Sequence, residues 1–330
     1  MVKYKIIAEL AQGYEGKVDI AKQLIDSAKL AGADYAKIQV VYADELSTSD
    51  YKDYKIFKSL ELDKVKWNEI SKFAKKKKIG LITEVFGKKS VTISKFIKSK
   101  FYKIHPTDIN NFELLRMIKS IKPKKIFIGI GGAKEKEVKK CLSFFDKFDV
   151  VLLHGHQSLP TPNQDMNIQR ISNIISKYKN KNNKLSIGIA DHALPEDKTI
   201  KDIISMAIGA GARYIEKHLT TNRIYKLEDY HSALNPDEFK KFRSYIDELF
   251  QIYGDGGYLS SNSERKYRHN TRRSIFLKKN LKKHSILKEQ FFVMKRSPKS
   301  SDLKNISEII GKKAKKNLYR NRLIYKKDLL

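Results

Sequence analysis

Short β-branched runs alternate with amphipathic helical runs along most of this chain, and that alternation limits the fold more than any other feature. Strands are expected at 5–10, 36–42, 80–86, 101–105, 125–130, 150–154, 185–190 and 214–219. Helices are expected to start near Val18, Trp67, Lys89, Asn111, Lys134, Met166, Ile200 and Pro236. Asn235-Pro236-Asp237-Glu238 supplies an N-cap, a proline at the first helical position and acidic residues in the first turn. Gly32 and Gly211 each follow a helical run and precede a strand, as C-terminal stop signals do. Eight strand–helix units in about 250 residues predict a (β/α)8 TIM barrel. A doubly wound open sheet is the alternative, and the absence of an early GxGxxG weakens it.

The stretch 186–239 shows what such a barrel would do with its polar residues. Two short apolar strands each run into a histidine, His192 after SIGIAD and His218 after YIEK, with a helical segment from Ile200 between them. Parallel strands joined by a crossover helix end on the same side of the sheet. Both imidazoles therefore reach one rim, beside Asp191 and Glu216, and ligands of α/β folds bind at that rim. We read His192 and His218 as two ligands of one catalytic metal. Two unrelated histidines near loops are the simpler alternative.

By the same logic the other strand ends contribute Glu9, Lys37, Gln39, Glu84, Lys103, His105 and His154. The loops beyond them add Gly13 to Gly16 with Glu15, then Asp108, His156, Gln157, Asp229 and His231. Lysines for anionic groups, carboxylates for acid–base work and histidines for a metal make a coherent catalytic set.

Near Gly254 the alternation stops. A Gly/Ser-rich linker is expected over residues 255–270, beginning GDGGYLSSNS, followed by a small unit at 271–330 whose size is near the limit for independent folding.

With 330 residues and 41% hydrophobic content the chain has material for a large core. The 68 Lys+Arg against 37 Asp+Glu give +31, which raises the question of nucleic acid. The charge is spread along the chain without a basic stripe or a binding motif, so no nucleic-acid partner is expected; anionic small substrates suit it better. The single cysteine, Cys141, excludes an internal disulfide and suggests a reducing compartment. No apolar run has the length of a signal peptide core or a membrane span, so no membrane partner and a cytoplasmic location are expected.

The segments IIAELAQGYEG, AGADYAKIQ, FYKIHPTDINNFELL, VVLLHGHQSLPTPNQDMN, IGIADH, YIEKHLTTNR and LEDYHSALNPDEF together resemble the sialic acid synthase (N-acetylneuraminate synthase) family. RRSIFLKKNLKKHSILKEQFFVMKR is similar to that family's C-terminal antifreeze-like (SAF, β-clip) domain. The resemblance implies condensation of phosphoenolpyruvate with an aldose, N-acetylmannosamine-like or related, to a sialic acid-like keto-sugar acid. It implies a divalent metal on His192 and His218, with Mn2+ expected and Mg2+ or Co2+ as alternatives. Lys37, Lys103, Gln157 and Asp191 would then bind substrate. Glu15, Asp108 (in place of a family glutamate) and Asp229 would be catalytic. Arg296, in the MKR segment, would reach the sugar site of a second subunit in a domain-swapped homodimer. Departures from the family pattern are Gly13-Tyr14 where Asn-His is usual, Pro106 and Gly129 in place of serines near the phosphate, and Gln157 in place of an asparagine. Two other readings stay open: a barrel aldolase or lyase that uses a Schiff-base lysine, and a basic binding protein built on a degenerate barrel.

Overall fold

The computed structural model describes residues 4–155, 161–178 and 184–330. The chain divides after Gly254 into two compact units.

The first unit is a closed barrel of eight parallel strands in sequence order: β1 (Lys5–Ala11), β2 (Tyr35–Val40), β3 (Gly80–Val85), β4 (Phe101–Ile104), β5 (Lys125–Gly129), β6 (Val150–His154), β7 (Leu185–Asp191) and β8 (Tyr214–His218). β8 closes on β1, with Lys5 opposite Tyr214 and Glu9 opposite His218. Two residues per repeat send alternate side chains to opposite faces of each strand. Outward residues such as Ile6, Ala8, Ile38 and Ile215 pack with apolar stripes of the surrounding helices, for example Ala21, Leu24, Ile25 and Ala28 of Val18–Leu30. Inward residues form stacked layers. The lower layer is apolar and aromatic: Tyr35 meets Phe101 at 5.0 Å and Phe127 at 5.9 Å between ring centroids, and Phe127 meets Tyr214 at 5.7 Å. Above it, toward the C-terminal strand ends, the inward positions become Glu9, Lys37, Glu84, Lys103 and Glu216, all buried.

Most helices follow the expected pattern, and Lys64–Lys76 is capped by Asp63, whose carboxylate accepts from the amides of Val65 and Lys66. Two short helices, Ala43–Leu46 and Tyr54–Ser59, lengthen the passage from β2 to the main helix before β3.

The second unit differs from the sequence reading in two respects. Asn262–Thr271 is an α-helix, where a linker was expected over 255–270. Its start signal is present in the sequence: the Ser261 hydroxyl accepts from Glu264 N at 3.0 Å, a Ser-x-x-Glu N-terminus that the neighbouring glycines and serines outweighed in our reading. After the helix, β9 (Arg273–Leu277) and β10 (Phe292–Arg296) pair antiparallel. Despite its small size the unit also has its own core, with Ile275, Leu277, Leu287, Phe292, Ile309, Leu318 and Ile324 buried. Among the described residues no helix is long and apolar enough to cross a membrane.

Candidate active site

The C-terminal ends of the strands open into a cleft of about 870 Å3. Its floor is the upper inward layer of the barrel, with Glu9, Lys37, Glu84, Lys103, Glu216 and His218 joined by His192 from the end of β7. Lys37 Nζ contacts Glu9 and lies 2.9 Å from Glu216 and 3.5 Å from Glu84. Lys103 Nζ is 3.6 Å from Glu216 and 4.0 Å from Glu84. Two ammonium groups thus face three carboxylates in a water-poor layer.

Burial alone would raise the carboxyl groups and lower the amines; the mutual attraction wins at Glu84, Glu216 and Lys103, whereas at Lys37 burial outweighs the pull of Glu216 and Glu84 and lowers the amine. Glu84 is held at about 2 and Glu216 below its usual value, because Lys37 and Lys103 together outweigh the cost of burial. Lys103 is raised, since Glu216 and Glu84 outweigh burial.

His192 and His218 lie side by side with ring centroids 5.4 Å apart. Burial pushes His192 down to about 4 against the pull of Glu216. It pushes His218 well below its usual value, helped by His192 and Lys37. Both rings are therefore neutral at pH 7, the form that ligates a metal. Among the described residues, the buried His192 Nδ1 and Glu216 Oε2 have no hydrogen-bond partners. Paired imidazoles without thiolate fit a borderline divalent ion. Among the described residues no group of three His, Cys, Asp or Glu side chains gathers at ligand spacing, so the fit rests on the histidine pair.

Lys37, Lys103, His192 and His218 therefore converge. Asp191 does not join them, contrary to our reading of it as a substrate ligand. It follows the inward Ala190 on β7 and so points outward, as Lys217 does between the inward Glu216 and His218. Asp191 and Lys217 meet there at 2.8 Å with no exposed side-chain surface. Asp108, Glu15 and Asp229 also stand outside the cleft lining. Asp108 accepts from Asn111 Nδ2 at 3.0 Å, and its carboxyl is raised chiefly by burial. Asp229, in the left-handed backbone region at φ 64°, is likewise raised by burial, although the Gln12 backbone and Lys37 oppose that. It stands behind Gln12, whose amide donates at 2.9 Å to the cleft residue Gln39. Glu15 lies 3.8 Å from Lys17. Tyr14 is buried edge-on against Trp67 at 5.5 Å, so this position, polar in the family pattern, is part of the core. Arg296 ends β10 in the second unit, exposed and opposite Arg273. Gln157 and His156 lie outside the described residues.

The cleft also contains groups that the sequence did not reveal: Thr107, the loop Gly131–Ala133, and Gln164, Asp165, Asn167 and Arg170 from the segment after β6. Arg170 lies in the first turn of Gln169–Tyr178 and reads in sequence as an ordinary surface cation. His154, expected among the site residues, is buried and donates through Nε2 to Met166 O at 2.7 Å, tying this segment to β6.

Comparison with known proteins agrees with this architecture. Residues 24–258 match the NeuB family and residues 272–330 match the SAF domain. An N,N'-diacetyllegionaminic acid synthase of Campylobacter jejuni is 29% identical, covering 98% of this chain and 99% of that protein. A pseudaminic acid synthase of the same species is 28% identical over 96% of this chain and 94% of its own length. The crystal structure of an N-acetylneuraminic acid (sialic acid) synthetase from Leptospira borgpetersenii, in complex with citrate, superposes with a TM-score of 0.73 at 26% identity, covering 81% of this chain and 92% of that one. The chain belongs to the NeuB family: it is a sialic acid synthase-like (β/α)8 barrel enzyme followed by an SAF domain.

Proposed function

We propose that the protein condenses phosphoenolpyruvate with an N-acetylated aldose to give a nonulosonic acid and inorganic phosphate. The observation that carries this reading is the single cleft floor in which a neutral histidine pair adjoins two lysines and three carboxylates. The names of the relatives support the product class.

His192 and His218 would hold a divalent ion, Mn2+ in the first instance, whose contribution when bound is to polarise the aldehyde oxygen of the open-chain sugar. Carbon 3 of phosphoenolpyruvate forms the new bond to the aldehyde carbon, and the aldehyde oxygen takes up a proton to become a hydroxyl. Positive charge develops at carbon 2, water adds there, and phosphate departs as the ketone forms. Glu9, Glu84 and Glu216 provide a preorganised negative field for that cation, effective because the floor is buried. Lys37 and Lys103, fixed by these carboxylates, present N–H donors to the anionic groups of phosphoenolpyruvate. Asp229 and Asp108, raised by burial, and Glu15 stand behind the lining and would position the loops that close over the sugar. In this proposal Arg296 serves the barrel of a second copy in a C2 dimer.

Purified protein with Mn2+, phosphoenolpyruvate and a panel of N-acetylated hexosamines should release phosphate only when an accepted sugar is present, and mass spectrometry of the product identifies that sugar. Reduction with borohydride should leave Lys37 and Lys103 unmodified in the presence of pyruvate. Covalent trapping at either would instead favour a Schiff-base aldolase.

A further inference from the structure

The ligand that the proposed reaction needs is strongly anionic, and both lysines that the cleft floor offers it are already engaged by three carboxylates. Phosphoenolpyruvate brings a carboxylate and a phosphate monoester that is close to doubly ionised at neutral pH. The histidine pair is, in the proposed reaction, committed to the sugar's carbonyl.

Pro106 and Gly129 stand where the resemblance implies serines near the phosphate, and the structure shows why the two replacements go together. A Cβ placed on Gly129 would lie 2.5 Å from Pro106 Cγ and 2.6 Å from its Cδ, so residue 129 must be glycine once proline occupies 106. Neither position 106 nor position 129 then offers a side-chain hydroxyl, and the neighbouring Thr107 hydroxyl is engaged by His105 Nδ1 at 2.7 Å.

Arg170 supplies what is missing. It lines the same cleft and is half-buried, and among the described residues its guanidinium makes no ion pair or hydrogen bond. Its segment is anchored by the bond from His154 to Met166 O, so the side chain is carried by ordered backbone. We infer that Arg170 binds the phosphate of phosphoenolpyruvate, replacing the lost serines with a charged, forked donor. A guanidinium presents two parallel N–H groups to a phosphate and keeps its charge at every working pH.

This inference rests on the reading of the cleft as a phosphoenolpyruvate site, and the experiment separates the two. At fixed ionic strength, phosphoenolpyruvate and inorganic phosphate are titrated into wild type, Arg170→Ala, Arg170→Lys and the surface control Arg116→Ala, with Mn2+ present, and steady-state kinetics are measured in parallel. Arg170→Ala should weaken phosphoenolpyruvate binding and raise its KM on the order of 10- to 100-fold, as expected for loss of a hydrogen-bonded charge. The KM for the aldose should move less than about threefold on the same scale. Arg170→Lys should fall between, Arg116→Ala should match wild type, and thermal midpoints should agree among all four. Unchanged phosphoenolpyruvate affinity in Arg170→Ala, a loss confined to the aldose, or an equal loss in Arg116→Ala would overturn the assignment. If wild type binds phosphate through Arg170 yet never releases phosphate from phosphoenolpyruvate, the reaction is wrong and the anion site stands. If it binds neither anion, both fall.

Discussion

On the outer face of β7 and β8, Asp191 and Lys217 form one ion pair at 2.8 Å. The Asp191 carboxylate also accepts from Ala193 N at 3.1 Å, and Lys217 Nζ donates to Ala193 O at 2.6 Å. Charge is balanced and each ion is further hydrogen-bonded within the protein. On the inner face of the same strands, Glu216, His218 and His192 share a layer with Lys37, Lys103, Glu9 and Glu84, where the lysines and carboxylates differ in number and, among the described residues, Glu216 Oε2 and His192 Nδ1 lack hydrogen-bond partners. Both clusters are buried and both cost desolvation. A neutral, fully buried pair, met by its own counter-ion and by the Ala193 backbone, holds a strand to its neighbours. An unsaturated cluster facing a cleft keeps its unused valences for a substrate.

The comparison can be broken most directly at the histidines. His192→Ala and His218→Ala should each lower turnover by about three orders of magnitude or more, while the thermal midpoint stays near that of wild type. Elemental analysis should show less Mn2+ in the double variant; equal metal content in wild type and double variant would remove the ligand assignment.

On the outer face the expectation reverses. Lys217→Met strands Asp191 as an unpaired buried charge and should cost about 3–5 kcal/mol in denaturant unfolding, with turnover per folded molecule retained. Adding Asp191→Leu should recover most of that loss. Glu84→Gln on the inner face sharpens the contrast. It removes a carboxylate that Lys37 and Lys103 hold ionised, and should lower turnover at least tenfold with a smaller loss of stability than Lys217→Met.

The proposed assembly gives a further test. Arg296→Ala and His192→Ala proteins, each inactive alone, should regain activity when mixed under conditions of subunit exchange, because one of the two sites in a mixed dimer would then be intact. No recovery after verified exchange would contradict completion of the site by a second copy.

The smallest effect concerns the second unit, where Asp328 is buried with Lys316 at 3.0 Å and Arg322 at 3.2 Å. Burial alone would raise this carboxyl, but Lys316, the Tyr325 amide and Arg322 outweigh it and hold it below its usual value. A depressed carboxyl stabilises the fold above the ordinary aspartate range, and that stability is lost as pH falls through the folded value. Unfolding of this unit should therefore become easier below about pH 4, and Asp328→Asn should flatten that dependence.

Much of this arrangement was legible because it follows from period and order. Eight strand–helix units imply a barrel, and a residue at a strand's C-terminal end is brought to one rim whatever its chemistry. Lys37, Lys103, His192 and His218 were found that way. Asp191 was misplaced because nearness to the rim was weighed above alternation, although Ala190 inward requires Asp191 outward. Arg170 could not be found, since the first turn of a helix in a chain of +31 offers no sign that one cation among many faces a cleft. The helix Asn262–Thr271 was obscured by the glycines before it, with its Ser261…Glu264 start signal in plain view.

The inner cluster is proposed here as a phosphoenolpyruvate-condensing site. The most direct measurement is phosphate release from phosphoenolpyruvate by wild type with Mn2+ across N-acetylated aldoses, run beside His192→Ala and Lys217→Met. Sugar-dependent release is expected from wild type and from folded Lys217→Met, and none from His192→Ala. Release that ignores the sugar, or that survives in His192→Ala, would contradict it.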